Sequence, residues 1–135
     1  MTKTGSEVEN DLFNLIAASD LATTITGTIY KSGMRPINAK SEDAVVSFMT
    51  GLDSQIQTGA LTINVYVQDI DNGAGTLVKN TARCRQIETT LNQIIQETKP
   101  SEYRWSLGAT IQTFPADEIG QHFVNAKVKF QLATF

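Results

Sequence analysis

The sequence is short of nearly everything that carries chemistry. Among 135 residues it has one Cys and one His, and only 19% of its side chains are charged. One Cys forms neither an internal disulfide nor a thiolate metal cage, and one His excludes the multi-histidine metal sites. There is no basic excess: 14 acidic residues stand against 11 basic, a net charge of −3. A chain so balanced lacks the clustered Lys and Arg that grip a phosphate backbone. No apolar run approaches the ~18 residues that span a bilayer, so no membrane partner is expected. The start, Met1 to Glu7, has no apolar core of a secretory signal and turns acidic at once. What is present is a 41% hydrophobic chain, read as one domain over residues 1–135. A chain of that length buries roughly two-thirds of its unfolded surface.

Ser6 followed by Glu9 predicts a capping box, and Val8, Leu12, Leu15 and Ile16 recur at helical spacing behind it. That helix is expected to end near Ser19, since the β-branched Thr23–Thr26 stretch favours extended backbone. A short strand at 27–30 then leads into a polar excursion over 31–41 containing Gly33 and Pro36. Residues 43–49 read as an interior strand, 51–60 as a second long polar loop, and 61–68 as an alternating strand with Leu61, Ile63, Val65 and Val67 on one face. After a flexible turn at 69–75, a long helix is expected over about 78–98, with Cys84, Ile87, Leu91, Ile94 and Ile95 inward and Lys79, Arg83 and Gln86 wet. Two strands close the chain, 103–111 and 122–135, joined by a turn at 114–118. His122, Val124, Ala126, Val128, Phe130 and Leu132 share the inward parity of the last strand.

The expected architecture is therefore α+β, in the order α-β-β-β-α-β-β. It is one mostly antiparallel sheet of about five strands, with both helices on one face.

The sequence gives no positive support for catalysis, a metal or a cofactor. Asp69-Ile70-Asp71-Asn72-Gly73 resembles the opening of a calcium loop, but the bidentate Glu required at the twelfth position is Asn80 here. Gly73-Ala74-Gly75 lacks the third glycine of a dinucleotide fingerprint. Cys84 reads as a small core side chain, and His122 as a structural His bonded to a backbone carbonyl. The pairs Glu42-Asp43 and Asp117-Glu118 read as solvated turns at strand entries; adjacent strand residues point to opposite faces, so neither pair makes an acid/base dyad. Thr, Asn and Gln prevail at the outward positions of the last strands, where a free-standing monomer more often carries Lys and Glu. The closing run Gln131 to Phe135 reads as a strand that covers an edge or meets a neighbour.

Several of these stretches together carry a family resemblance. They are the opening helix ending near Leu21, Gly27-Thr28-Ile29-Tyr30, the Arg35-Pro36 excursion, and Ser41-Glu42-Asp43-Ala44-Val45-Val46. With them go Thr62 to Val67 with an Asp following, and His122-Phe123-Val124-Asn125. Over nearly its whole length the chain resembles the tail-terminator, or tail-completion, proteins of tailed bacteriophages and prophages. The resemblance implies one sheet with helices packed on it, in a non-enzymatic virion protein assembled in the host cytoplasm and placed in the tail or neck. It implies a ring of copies of this chain, most often six, capping the tail tube. The ring ends tube polymerisation and offers a surface to the head-completion or neck proteins, with DNA only as passing cargo. For such a ring Arg35 is the first candidate for an inter-subunit contact, because a guanidinium fork suits carboxylates across an interface, with Glu42 and Asp43 as candidate partners. A different neck or head-completion protein, and a small enzyme or ligand-binding domain built around Trp105 and His122, are the alternatives.

Overall fold

The structure, a computed structural model, describes residues 2–133. Helix α1 spans Gly5–Ala17 and buries Val8, Leu12 and Ile16. Its N-cap is Thr4, not Ser6. The Thr4 hydroxyl accepts from the Glu7 amide while the Glu7 carboxylate accepts from the Thr4 amide. The capping box is thus of the expected type, two residues earlier. A second helical turn, α2, covers Leu21–Thr24 where extended chain was expected. The Thr23 and Thr24 hydroxyls donate back to the Asp20 carbonyl, and burial of Leu21 outweighs the β-branched preference.

Strand β1 (Ile29–Lys31) pairs in parallel with β2 (Ala44–Leu52), because the 32–43 excursion returns the chain to the end from which β1 started. β2 turns directly into β3 (Ile56–Gln68) as an antiparallel hairpin. The long loop expected over 51–60 is therefore mostly strand. Its two glycines lie opposite each other, Gly51 against Gly59, with a register shift between Phe48 and Thr50 that leaves Met49 outside. A Cβ on Gly59 would strike the Thr50 carbonyl and the Phe130 ring. Glycine here reflects close approach of two strands rather than a loop.

The flexible turn expected at 69–75 is part of a small ribbon, β4 (Ile70–Asp71) with β5 (Leu77–Val78). Helix α3 (Thr81–Gln96) is capped by Asn80, whose side chain accepts from the Arg83 amide, and buries Cys84, Ile87, Leu91 and Ile95. Strand β6 (Tyr103–Leu107) is shorter than expected. The stretch read as a turn holds β7 (Gln112–Ala116) and a 3₁₀ turn at Asp117–Ile119 before β8 (Gln121–Ala133) begins. Gly120 makes that entry possible with φ of 65°. Thr134 and Phe135, the end of the expected last strand, lie outside the described residues.

The main sheet runs β1-β2-β3-β8-β6, with β7 also paired to β8. It has six strands where about five were expected; β1–β2 is the one parallel pairing among its described strands, so the sheet is mixed yet mostly antiparallel, and three helices rather than two accompany it. The expected α+β class and inward parity hold: Leu61, Ile63, Val65, Val124, Ala126, Val128 and Phe130 join the buried faces of α1 and α3 in one cluster. Both long helices pack on this one face. Among the described residues the opposite face carries no α-helix; the 32–43 excursion and the 3₁₀ turn at Asp117–Ile119 lie over part of it. Among the described residues no helix is long and apolar enough to cross a membrane.

Candidate interaction surface

The residues singled out from sequence meet at the start of β2. Gly27 lies so close to Glu42 and Asp43 that a Cβ there would overlap the Glu42 carbonyl and the Asp43 carboxylate. This contact lets the Gly27 amide donate to Glu42 O at 2.9 Å and the Thr28 amide to Asp43 Oδ1 at 2.8 Å. Glu42 and Asp43 then point to opposite sides of the sheet, as strand alternation requires.

Asp43 is fully buried. Its Oδ2 accepts from Arg35 Nε at 3.0 Å and from the Ser41 hydroxyl at 2.7 Å. Burial works against its ionisation, but the Ser41 hydroxyl, the Thr28 amide and the Arg35 guanidinium together hold the carboxyl below its ordinary value. Arg35 NH2 faces Ala39 O, Ser41 O and Gln121 Oε1 within hydrogen-bond distance, and the guanidinium lies 4.1 Å from the centre of the Tyr66 ring. Gln121 is itself buried and donates to Ala39 O at 2.8 Å. The Arg35-Pro36 excursion is therefore bolted onto the helix-free face by one buried fork.

Glu42 turns the other way. Its two oxygens take Arg83 Nε at 2.9 Å and Arg83 NH2 at 2.5 Å, and the same guanidinium donates to Thr24 O. The bond to Glu42 raises the Arg83 pKa further. Glu42 and Asp43 are thus buried and paired rather than solvated. The three candidate contact residues, Arg35, Glu42 and Asp43, all make their charged contacts within one chain, and an inter-subunit bond would have to displace these.

His122 bonds a carboxylate, not a backbone carbonyl: Nδ1 lies 2.6 Å from Asp69 Oδ1. The pair joins the start of β8 to the entry of the β4–β5 ribbon. Trp105 stacks on Tyr103 at 4.3 Å between ring centroids and lies against Phe130 inside the core. Cys84 is buried, and burial raises its thiol pKa. Among the described residues no group of three or more His, Cys, Asp or Glu side chains is placed to hold a metal ion.

Sequence reasoning missed Arg83, assigned to the wet side of its helix, and Gln121, which lies on the outward parity of β8. The signal for Arg83 was its place at the border of the buried stripe, next to Cys84. For Gln121 it was the preceding Gly120, whose left-handed backbone ends the 3₁₀ turn and starts β8.

Beyond these buried locks lies surface. Tyr66, Phe123 and Phe114 form an aromatic row across three strands of the helix-free face, at 5.7 Å per step. Phe114 is 39% exposed, and Ile37 in the excursion is 94% exposed. At the other end of the same sheet the β2–β3 hairpin tip shows Met49, Leu52 and Ile56, with Leu52 70% exposed. The ten residues from Ile56 to Tyr66 place these two apolar surfaces roughly 33 Å apart. Such exposed apolar groups mark contact surfaces when they gather, and here they gather at two opposite ends.

No protein-family model matches the chain, and no curated protein matches it. Solved structures similar to it include a protein chain matched over 96% of both chains, with a TM-score of 0.53 and 14% sequence identity. At that identity the likeness concerns the fold alone: an α+β chain with a mixed sheet and helices.

Proposed function

We propose that the protein is a structural component of a tailed-phage virion. It caps the tail tube as a ring of identical copies, ends tube polymerisation, and presents a surface to the head-completion proteins. The observation that carries this reading is the pair of apolar surfaces at opposite ends of one sheet. A piece that lies between two partners needs two separate contact surfaces and no catalytic pocket. The hairpin tip with Met49, Leu52 and Ile56 suits the tube, and the end bearing Ile37 and Phe114 suits the neck. The buried polar locks around Arg35 and Glu42 support the same reading, since they spend their charges on holding the surface loops in place. DNA is passing cargo, and no cofactor enters.

Two measurements test the proposal. Purified protein, alone at high concentration or with tail-tube protein, gives closed rings by electron microscopy and light scattering. Deletion of its coding sequence from a phage or prophage that carries it gives overlong tails. Normal-length tails that fail to join heads would instead assign the protein to the neck.

A further inference from the structure

The helix-free sheet face has a second half, away from the aromatic row, with a marked charge pattern. No Asp or Glu occupies an outward position of β2, β3, β8, β6 or β7. Three cations do: Lys127 and Lys129 on β8, and Arg104 on β6, all exposed. None has a carboxylate within ion-pair distance among the described residues, a condition shared with Lys31, Lys40, Lys79, Arg85 and Lys99; what sets these three apart is that they stand together on one sheet face. Around the three cations stand neutral hydrogen-bonding groups, Thr62, Asn125 and Gln131. Gly108 lies against the lysine stems, where a Cβ would sit 2.9 Å from Lys129 Cγ and 3.2 Å from Lys127 Cγ. That contact holds both ammonium groups outward over the face. Beside Lys129 the small residues Gly59, Ala60 and Ser106 leave an open hollow of about 390 Å³.

The charge balance of the chain says what fits there. Setting these three cations aside leaves eight basic against 14 acidic side chains, a net of −6. The rest of the molecule is thus complementary in sign to this face, and a polyanion such as DNA would meet that surplus as repulsion. The sharpest exposed acidic point is the 3₁₀ turn with Asp117, Glu118 and the 37%-exposed Ile119. It precedes β8, and the eight residues from Gln121 to Lys129 separate it from the basic half by roughly 26 Å. The two cannot meet within one chain. Between copies they meet head to tail, the heterologous arrangement that closes into a ring when its rotation closes.

We propose that the Arg104–Lys127–Lys129 face of one copy docks the Asp117–Glu118 turn of a second copy, with Ile119 entering the hollow beside Lys129. This rests on the ring reading and specifies the contact that builds the ring.

The test uses the full chain and its tail-tube protein. The variant Lys127→Glu with Lys129→Glu is expected to weaken self-association at least tenfold, by sedimentation or light scattering. Lys127→Gln with Lys129→Gln, which removes the two charges without reversing them, is expected to weaken it in the same direction by less. Circular dichroism and a thermal melt check that each variant is folded. Adding Asp117→Lys and Glu118→Lys to the reversed-lysine variant is expected to restore association, and raising salt to weaken it in the native chain and in this charge-swapped variant alike. Rings that form undiminished in either lysine variant overturn this contact and leave the ring reading standing. Loss that the acid-to-lysine change does not rescue overturns the turn as partner. A native chain that stays monomeric with and without tube protein overturns both readings.

Discussion

Arg35 and Asp43, eight residues apart, form a buried ion pair at 3.0 Å that fastens a surface excursion to a sheet edge. The Asp43 side chain is fully buried and that of Arg35 is 9% exposed. Removing one member leaves the other charged and unpaired, which typically costs about 3–5 kcal/mol. Arg35→Ala is therefore expected to lower stability by about 3 kcal/mol in urea unfolding. Arg35→Lys is expected to recover only part of this, because an ammonium group cannot reach Asp43, Ala39, Ser41 and Gln121 together. A change under about 0.5 kcal/mol for Arg35→Ala would mean that the excursion folds without the fork.

The same carboxylate predicts an acid limb. The folded-state pKa of Asp43 lies below its ordinary value. Its contribution to stability is therefore fully present above the unfolded-state value of about 3.9, and is lost as pH falls through the folded-state value. Asp11, bonded to Lys3 and the Tyr103 hydroxyl, shifts the same way and adds to the same limb. Stability measured from pH 7 downward should stay nearly level to about pH 5 and then fall. Asp43→Asn should start lower and fall less steeply below pH 4. Parallel curves for the two proteins would remove Asp43 as a source of the limb.

These two residues also show how far the sequence could be read. Core parity was legible, because alternation in 61–68 and 122–132 and the spacing Cys84–Ile87–Leu91–Ile95 follow directly from strand and helix periods. Residues 51–60 were not, because Gly51 and Gly59 look like loop punctuation until strand pairing brings them face to face. The parallel β1 was hidden for a related reason: its partner is set by the path of the excursion, and that path depends on Arg35 finding Asp43 and Gln121. Glu42-Asp43 carried the right alternation but the wrong exposure, since their arginine partners come from segments far away in sequence or across a loop. The wet half of the sheet face was visible as a run of Thr, Asn and Gln, while the gathering of Arg104, Lys127 and Lys129 on it needed the register.

Gly27 makes a sharper local test. A Cβ there would overlap both the Glu42 carbonyl and the Asp43 carboxylate. Gly27→Ala must push β1 away from the start of β2, straining the Thr28–Asp43 and Gly27–Glu42 bonds together. The expected loss is about 2 kcal/mol or more, at the scale of overpacking in a tight interior. Gly33→Ala is the comparison in open space; φ there is 76°, so its cost is backbone strain of about 1 kcal/mol. Equal melting temperatures for native and Gly27→Ala proteins would contradict the close approach.

Cys84 should behave as an inert core group. It is 1% exposed, and burial raises its thiol pKa. Reaction with a disulfide reagent at pH 8 is expected to be slow in the native protein and to become fast with unfolding in denaturant. Fast stoichiometric labelling of the folded chain would show that α3 opens locally.

The hairpin tip separates stability from assembly. Leu52 and Ile56 are 70% and 50% exposed, so Leu52→Ser with Ile56→Ser removes little buried surface. The expected stability change is within about 0.5 kcal/mol for each substitution. If the tip meets the tail tube, these side chains become buried only in the complex, and each contributes there roughly 1–2 kcal/mol of apolar burial. The double variant should then still form rings while binding tail-tube protein at least tenfold more weakly, seen by co-sedimentation and by tails that overrun their length. The lysine reversal should do the opposite and lose rings first. Undiminished tube binding by the serine variant would move the tube contact elsewhere. Simultaneous loss of rings and tube binding would place the hairpin tip in the contact between copies.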